Sequence, residues 1–308
     1  MKLKILLPVF NDWEALRLLL DKTLKIFEGK GFELSFLAVD DNSSIPYQKA
    51  DFEGIDLKVL HLLSNQGHQR AIALGLSYLV DHQDFDKVIV MDSDGEDQPD
   101  HIIDLIEKSK QHPDKIIFAQ RKKRTESILF KVFYFFYKII FKSLTGHVIT
   151  FGNFSLIPAG RLQKLAHVSE IWNNYPGGII RSKLPFDSVP LDRGVRLAGK
   201  SKMNFSSLIL HGMSAISVFL EVTAVRILIF VSIMIAAALI GSSVVFYLKF
   251  FLNQATPGWA SSLMMAFFIV FLQGFIIALF ILFMVLSSRR YTAFIPYLGY
   301  KNFIESVE

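Results

Sequence analysis

Two stretches of this chain, residues 227–248 and 260–286, run for 22 and 27 residues without one charged side chain. About 20 apolar residues suffice for a helix to cross the ~30 Å hydrocarbon core of a bilayer. Buried helices of soluble domains rarely reach such lengths uncharged, so the pattern predicts two transmembrane helices. The link between them holds Lys249, Pro257 and Gly258. Arg226 precedes the first run, and Arg289 and Arg290 follow the second. By the positive-inside rule both termini are then cytoplasmic and the link lies outside. A chain that is 52% hydrophobic, with mean hydropathy +0.38, fits such a protein. No cysteine is present, which excludes disulfides and thiolate chemistry.

Ahead of the spans the pattern changes. Short apolar runs at 3–9, 34–39, 57–62, 87–91 and 116–119 read as strands. Amphipathic stretches at 13–27, 69–80 and 101–110 read as the helices between them. Such βαβα alternation predicts an α/β fold with a mostly parallel sheet and helices on both faces. Met1 to Lys4 ahead of an apolar run resembles the start of a signal peptide, but Pro8, Asn11 and Asp12 cut that run short, and a first strand is the better reading. The expected division is a folded domain over 1–205, a juxtamembrane helix over 206–225, a two-helix hairpin over 226–290 and a tail over 291–308.

Charge is unevenly spread. Residues 1–120 carry 13 Lys and Arg against 21 Asp and Glu, whereas residues 121–205 carry 15 against 4. A basic stretch just before membrane helices would face anionic headgroups or phosphate-bearing substrates, or is simply a solvated face. Within it, 128–144 reads ILFKVFYFFYKIIFKSL. Lys131, Lys138 and Lys142 fall within about 40° of one another on a helix. A wide apolar face with one basic stripe suits a helix lying in the membrane interface, or a core helix with a lysine edge.

The chemistry-bearing motif is Val88-Ile-Val-Met-Asp92-Ser-Asp94-Gly-Glu96-Asp97-Gln-Pro99. A strand here ends in two carboxylates one residue apart. Hard cations such as Mg²⁺ or Mn²⁺ take oxygen ligands of this kind and keep substrate phosphate oxygens as partners. The alternative is an acidic strand-to-helix loop with Asp97 capping the helix near Pro99. A second pair, Asp40-Asp41, ends an earlier strand and fits either ribose hydroxyls or an Asx-type turn with Asn42 and Ser43. Asn65-Gln-Gly67-His68 opens another helix, with Gly67 allowing a tight approach and His68 either a ligand or a helix-start residue.

In this order, Pro8-Val-Phe-Asn11-Asp12, Asp40-Asp41-Asn-Ser, Asn65-Gln-Gly-His68, Asp92-Ser-Asp94 and Arg121 resemble family 2 glycosyltransferases of the GT-A nucleotide-sugar-binding fold. More narrowly they are similar to the polyprenyl-phosphate glycosyltransferases, a group that includes dolichyl-phosphate mannose synthases. The resemblance implies a cytoplasmic catalytic domain, a UDP- or GDP-sugar donor and an undecaprenyl or dolichyl phosphate acceptor. It also implies Mg²⁺ or Mn²⁺ held by Asp92, Asp94 and Glu96, the last standing where relatives have Gln. Pro8, Asn11, Asp12, Asp40, Asp41, Asn65, His68 and Asp92 would line the donor site. Gln120-Arg121-Lys-Lys-Arg124 matches the family's basic segment. Arg193, Arg196, Lys200 and Lys202 match a phosphate-gripping element ahead of the membrane, where Met203 replaces an aromatic residue. Asn153-Phe-Ser-Leu-Ile stands where many relatives have Asp-Phe-Arg-Leu-Met.

The reaction so implied is inverting, metal-dependent transfer, with Asp94, Arg121 and Arg193 as catalytic residues. A lipid monophosphate is already an anion near pH 7 and needs no base, which suits a later half poor in carboxylates. Glu170 is the candidate base if the acceptor were instead a saccharide hydroxyl. A silent membrane scaffold of the same fold is the remaining alternative. An integral protein of a bacterial inner membrane is expected, in contact with the bilayer and compatible with a homo-oligomer. No nucleic-acid partner is expected.

Overall fold

Alternation of buried side chains along the first strand shows how the sheet is sandwiched. Leu6 turns to one face while Ile5 and Leu7 turn to the other, and each joins a separate apolar core. The computed structural model describes residues 1–121, 128–199, 205–252, 258–288 and 293–308. Arg124, Lys200 and Lys202, and the flanking Arg289 and Arg290, lie outside the described residues, and of Arg121 only the backbone is described.

The first half runs β1 (Lys2–Val9), α1 (Trp13–Phe27), β2 (Glu33–Asp40), β3 (Leu57–Leu62), α2 (His68–Asp81) and β4 (Lys87–Val90). It continues with α3 (His101–Gln111), β5 (Ile116–Arg121), α4 (Ile128–Thr145), β6 (Phe151–Pro158) and α5 (Ala159–Ala166). A 3-10 turn over Ser169–Trp172 leads to α6 (Tyr175–Ser182) and β7 (Phe186–Leu191). Then come α7 (Phe205–Ser217), α8 (Leu220–Phe250), α9 (Trp259–Ser288), α10 (Pro296–Gly299) and β8 (Ile304–Val307).

The sheet order is β7-β5-β6-β4-β1-β2-β3-β8. Strands β1 to β4 are mutually parallel, β7 is parallel to β5, and β6 and β8 run antiparallel to their neighbours. The mostly parallel α/β architecture expected from the sequence is therefore present. Helix α2 packs in one core, α1 and α3 in the other. Pro8 sits in the central strand without breaking a ladder. Leu6 faces β4 and accepts from Met91, so Pro8, two residues on, faces the same side beyond the last β4 pairing.

By contact the chain forms two units. One comprises Met1–Phe136, Val148–Val218 and Ala293–Glu308; the other comprises Tyr137–His147 and Phe219–Thr292. In the second unit α8 and α9 are long and apolar enough to cross a membrane. The buried positions of α8 include Ala224, Val231, Ala238 and Val245, a seven-residue spacing that makes one narrow seam. Gly274 on α9 meets that seam against Ile235 and Val231. Most other apolar side chains of both helices are exposed. Arg226 Nη1 donates to the carbonyls of Lys142 and Ser143 at 3.2 and 2.7 Å, closing the last turn of α4. On α4, Phe135, Phe136, Ile139 and Ile140 are exposed, so an ordinary core helix does not describe this face.

Two boundaries differ from the sequence reading. The segment 206–225 is not one helix: α7 ends at Ser217 and Leu220 already belongs to α8. Buried Val218 and Phe219 mark the break, with Val218 against Gly177 and Phe219 against Phe141. The segment 291–308 is no separate tail, because β8 pairs with β3 and its residues belong to the first unit. Edge strand β3 has backbone groups to satisfy, and the four residues Ile304-Glu-Ser-Val307 were too few and too irregular in pattern to read as a strand. Tyr297 and Tyr300 add hydroxyl donations to Asp81 at 2.8 and 2.5 Å, which hold that carboxyl below its usual range. Deleting residues 304–308 is expected to lower domain stability by about 1–3 kcal/mol, seen as a thermal midpoint a few degrees lower in detergent.

Candidate functional site

Parallel strands present their carboxyl ends along one edge, where open sheets bind ligands. Here β1 delivers Asn11 and Asp12, β2 delivers Asp40 and Asp41, and β4 delivers Asp92 to Asp97. The structure thus brings the three acidic segments read from the sequence to one edge.

The β2 pair builds the site from beneath. Asp41 is buried, and its two oxygens accept the backbone amides of Gln66 at 2.6 Å and Gly67 at 2.8 Å. Burial raises its pKa and those two donations oppose the rise. Asp40 makes the Asx-type turn, accepting from Ser43 N at 3.0 Å, while its other oxygen meets Nδ1 of His61 at 2.9 Å. Both carboxylates are buried, and the bonds they make position the loops around them. Asn11, at φ 54°, accepts Ser44 Oγ and Ile45 N on its side-chain oxygen and so holds the neighbouring loop. Pro8 is buried in β1 and offers no surface. Asn65 donates to the Asp41 carbonyl at 3.1 Å. Gly67, at φ 88°, adopts a backbone conformation that favours glycine at the start of α2.

Above this floor lies a cluster of charge. Nε2 of His68 is 3.1 Å from Oδ1 of Asp92, on a side chain about 44% exposed. Burial alone would lower the imidazole pKa, but the charge and hydrogen bond of Asp92, then Asp97 and Asp94, turn the net shift upward. Asp94 is raised by burial first and by Asp92 next, against the lowering influence of Arg196 and Arg193. Asp97 does not cap α3 as the sequence allowed; it accepts the backbone amide of Asp92 at 3.0 Å and closes the loop.

The basic residues after β7 fold onto this loop. Arg196 bridges Asp12 Oδ2 at 2.7 Å and Asp94 Oδ2 at 3.1 Å. Arg193 Nη2 pairs with Glu96 Oε2. Backbone bonds from Gly194 to Glu96 and from Leu197 to Asp94, at 2.8 and 2.9 Å, strap the two segments together. Gly95, at φ 84°, is required there: any Cβ would collide with Leu197. Glu96 and Arg193 also line a cavity of about 20 Å³ beside Gln120 and Phe154, room for about one water.

Two contributors were not selected from the sequence. Gln69 follows His68 in the helix-opening motif but was given no role, and Asn153 was noted only where it departs from the resemblance; both bond into the site. Glu170 accepts from Ser169 Oγ at 2.9 Å and lies 3.8 Å from Arg181.

Comparison with known proteins decides the family. Residues 4–172, more than half of the chain, match the model of glycosyl transferase family 2. The chain belongs to that family. It is 26% identical over 275 residues to the glycosyltransferase YkcC of Bacillus subtilis, covering 83% of this chain and 80% of that one. It is 29% identical over 135 residues to the undecaprenyl-phosphate 4-deoxy-4-formamido-L-arabinose transferase of Klebsiella pneumoniae, covering 42% of this chain and 40% of the relative. Among solved structures, mannosyl-3-phosphoglycerate synthase of Rubrobacter xylanophilus shares the fold, with TM-score 0.50, 14% identity and 71% and 72% of the two chains covered. Glucosyl-3-phosphoglycerate synthase of Mycobacterium tuberculosis does so with TM-score 0.50, 12% identity and 72% and 78% covered. This protein is a glycosyltransferase of GT-A-like fold with two apolar helices toward its C-terminus.

Proposed function

We propose that the enzyme transfers a sugar from a nucleotide-sugar to a polyprenyl phosphate at the cytoplasmic face of a membrane, with inversion. One observation carries the reading. Arg193 and Arg196, from the segment leading into α7, pair directly with Glu96 and Asp94 of the acidic loop. Cations reaching from the membrane-proximal chain onto the acidic motif are what two phosphate-bearing substrates would require. Homology to an undecaprenyl-phosphate transferase supports the acceptor class.

A divalent cation fits the donor set. Asp92, Asp94 and Asp97 together bear on His68, and Asp92 and Asp12 on Asp94, so hard oxygen donors and negative charge concentrate here. Among the described residues no three acidic or imidazole groups form a ready cage. The protein ligands would be Asp92 and Asp94, with Glu96 joining once Arg193 turns to phosphate, and diphosphate oxygens completing the set. Such an ion, which the Mycobacterium tuberculosis enzyme holds as Mn²⁺ with UDP, would supply positive charge against the departing diphosphate. Arg121, Arg124, Arg193, Arg196, Lys200 and Lys202 would hold the two substrates, and the acceptor phosphate needs no base. Asn65 and the exposed His68 would face the donor.

Chain connectivity suits a hairpin topology: the first unit contains both the segment before α8 and the segment after α9, so two spans leaving from it and returning to it would share one side. With Arg226, Arg289 and Arg290 flanking them, that side would be the cytoplasm. Exposed Phe135, Phe136, Ile139 and Ile140 would rest α4 in the interface.

The test supplies purified full-length protein with undecaprenyl phosphate, Mn²⁺ and a panel of UDP- and GDP-sugars. A lipid-linked sugar phosphate of inverted anomeric configuration is the expected product. Absence of product with every donor, or product only on a lipid-linked saccharide, overturns the reading.

A further inference from the structure

Between the start of α6 and Asp92 runs a chain of three hydrogen bonds whose polarity is set from one end. The backbone N–H of Tyr175 donates to Oε1 of Gln69 at 2.6 Å. A backbone amide can only donate, so the Gln69 oxygen is fixed there and its Nε2 faces Asn153 Oδ1 at 3.0 Å. Asn153 must then present Nδ2 to the site, 2.9 Å from Nε2 of His68 and 3.4 Å from Oδ1 of Asp92. The anchor is rigid. Tyr175 is fully buried, its hydroxyl lies 2.7 Å from Ser155 Oγ, and Asn174 caps the helix by accepting from Gly177 N at 2.8 Å.

We propose that Gln69 and Asn153 are positioning residues for the acidic motif. They carry the direction of the Tyr175 N–H across two side chains, so that a donor and never an acceptor faces Asp92. Asp92 is thereby held in one orientation toward the cation. Partners of this kind orient ligating carboxylates and matter nearly as much as the ligands themselves. The identity of residue 153 gains a reason. An aspartate here would bring a second carboxylate against Asp92, whereas an asparagine whose amide cannot flip offers only its N–H. The proposal rests on the reading of Asp92 as a metal ligand.

Gln69→Glu separates polarity from simple packing. Glutamate still accepts from Tyr175 N with one oxygen, but its other oxygen also can only accept. Asn153 must turn its Nδ2 toward residue 69 and its Oδ1 toward Asp92 and His68. Every bond within the pair survives and the direction reverses. Asn153→Ala removes the donor outright and keeps the test decisive if Gln69→Glu fails to fold. The measurement is Mn²⁺ affinity by electron paramagnetic resonance, on full-length protein in detergent with inorganic pyrophosphate, alongside the thermal midpoint. Expected is Mn²⁺ affinity weakened about 10- to 100-fold in each folded variant, with the midpoint of Asn153→Ala near that of the parent. Parent-like affinity in both variants overturns this proposal alone. No Mn²⁺ binding by the parent protein overturns the metal reading, and this proposal with it.

Discussion

Replacing Asp92 with asparagine is expected to lower turnover about 10²- to 10³-fold while leaving the fold intact. The side chain is about 20% exposed and its partners, His68 and Asn153, are part-exposed polar groups that an amide can still engage. What the substitution removes is formal charge at the point where β4 delivers the acidic loop. A neutral amide competes poorly for a hard cation. Single-turnover rates on a nucleotide-sugar, with circular dichroism as a fold control, check the prediction. A rate within threefold of the parent would remove Asp92 from the chemistry.

Arg196→Ala is expected to act on both stability and activity. The guanidinium is about 16% exposed and is clamped between Asp12 and Asp94, themselves at 19% and 17%. Removing it leaves two part-buried carboxylates facing each other without a cation, at a cost of about 2–4 kcal/mol. Asp94, already raised by burial and by Asp92, loses the stronger of the two cations that oppose that shift. Lysine is a poor substitute, because a point charge cannot bridge two carboxylates as a planar fork does. Chemical denaturation in detergent should show Arg196→Ala less stable than the parent, with Arg196→Lys between them. Equal stability for all three would mean that the clamp contributes nothing measurable.

Hydrophobic patterning made the sheet and the two long apolar helices legible. Short apolar runs at β1 to β5 and uncharged runs at α8 and α9 need no tertiary context to be recognised. The later strands β6, β7 and β8 carried no comparable signal, since each is defined by the neighbour it pairs with. Site residues divided in the same way. Asp92, Asp94, Arg193 and Arg196 stood out by type and order, yet only the fold shows that the arginines close onto the acids. Asp40, Asp41 and Asn11 stood out by type as well, but their loop-building bonds show only in the fold, because loop-building and substrate-binding use the same residue types at strand ends. Gln69 was invisible, because its value lies in the direction of one amide, fixed by a backbone group 106 positions away.

Strand β8 has a consequence for biosynthesis. The catalytic sheet needs Ile304–Val307 at its edge, and those residues follow α9 in the chain. During synthesis the N-terminal strands emerge first and can begin to pack, but β3 keeps an open edge until both hydrophobic helices have left the ribosome. Completion of that edge therefore waits on two long apolar helices that must themselves be kept from water, so the β3 edge stays open to mispairing for as long as they are being made.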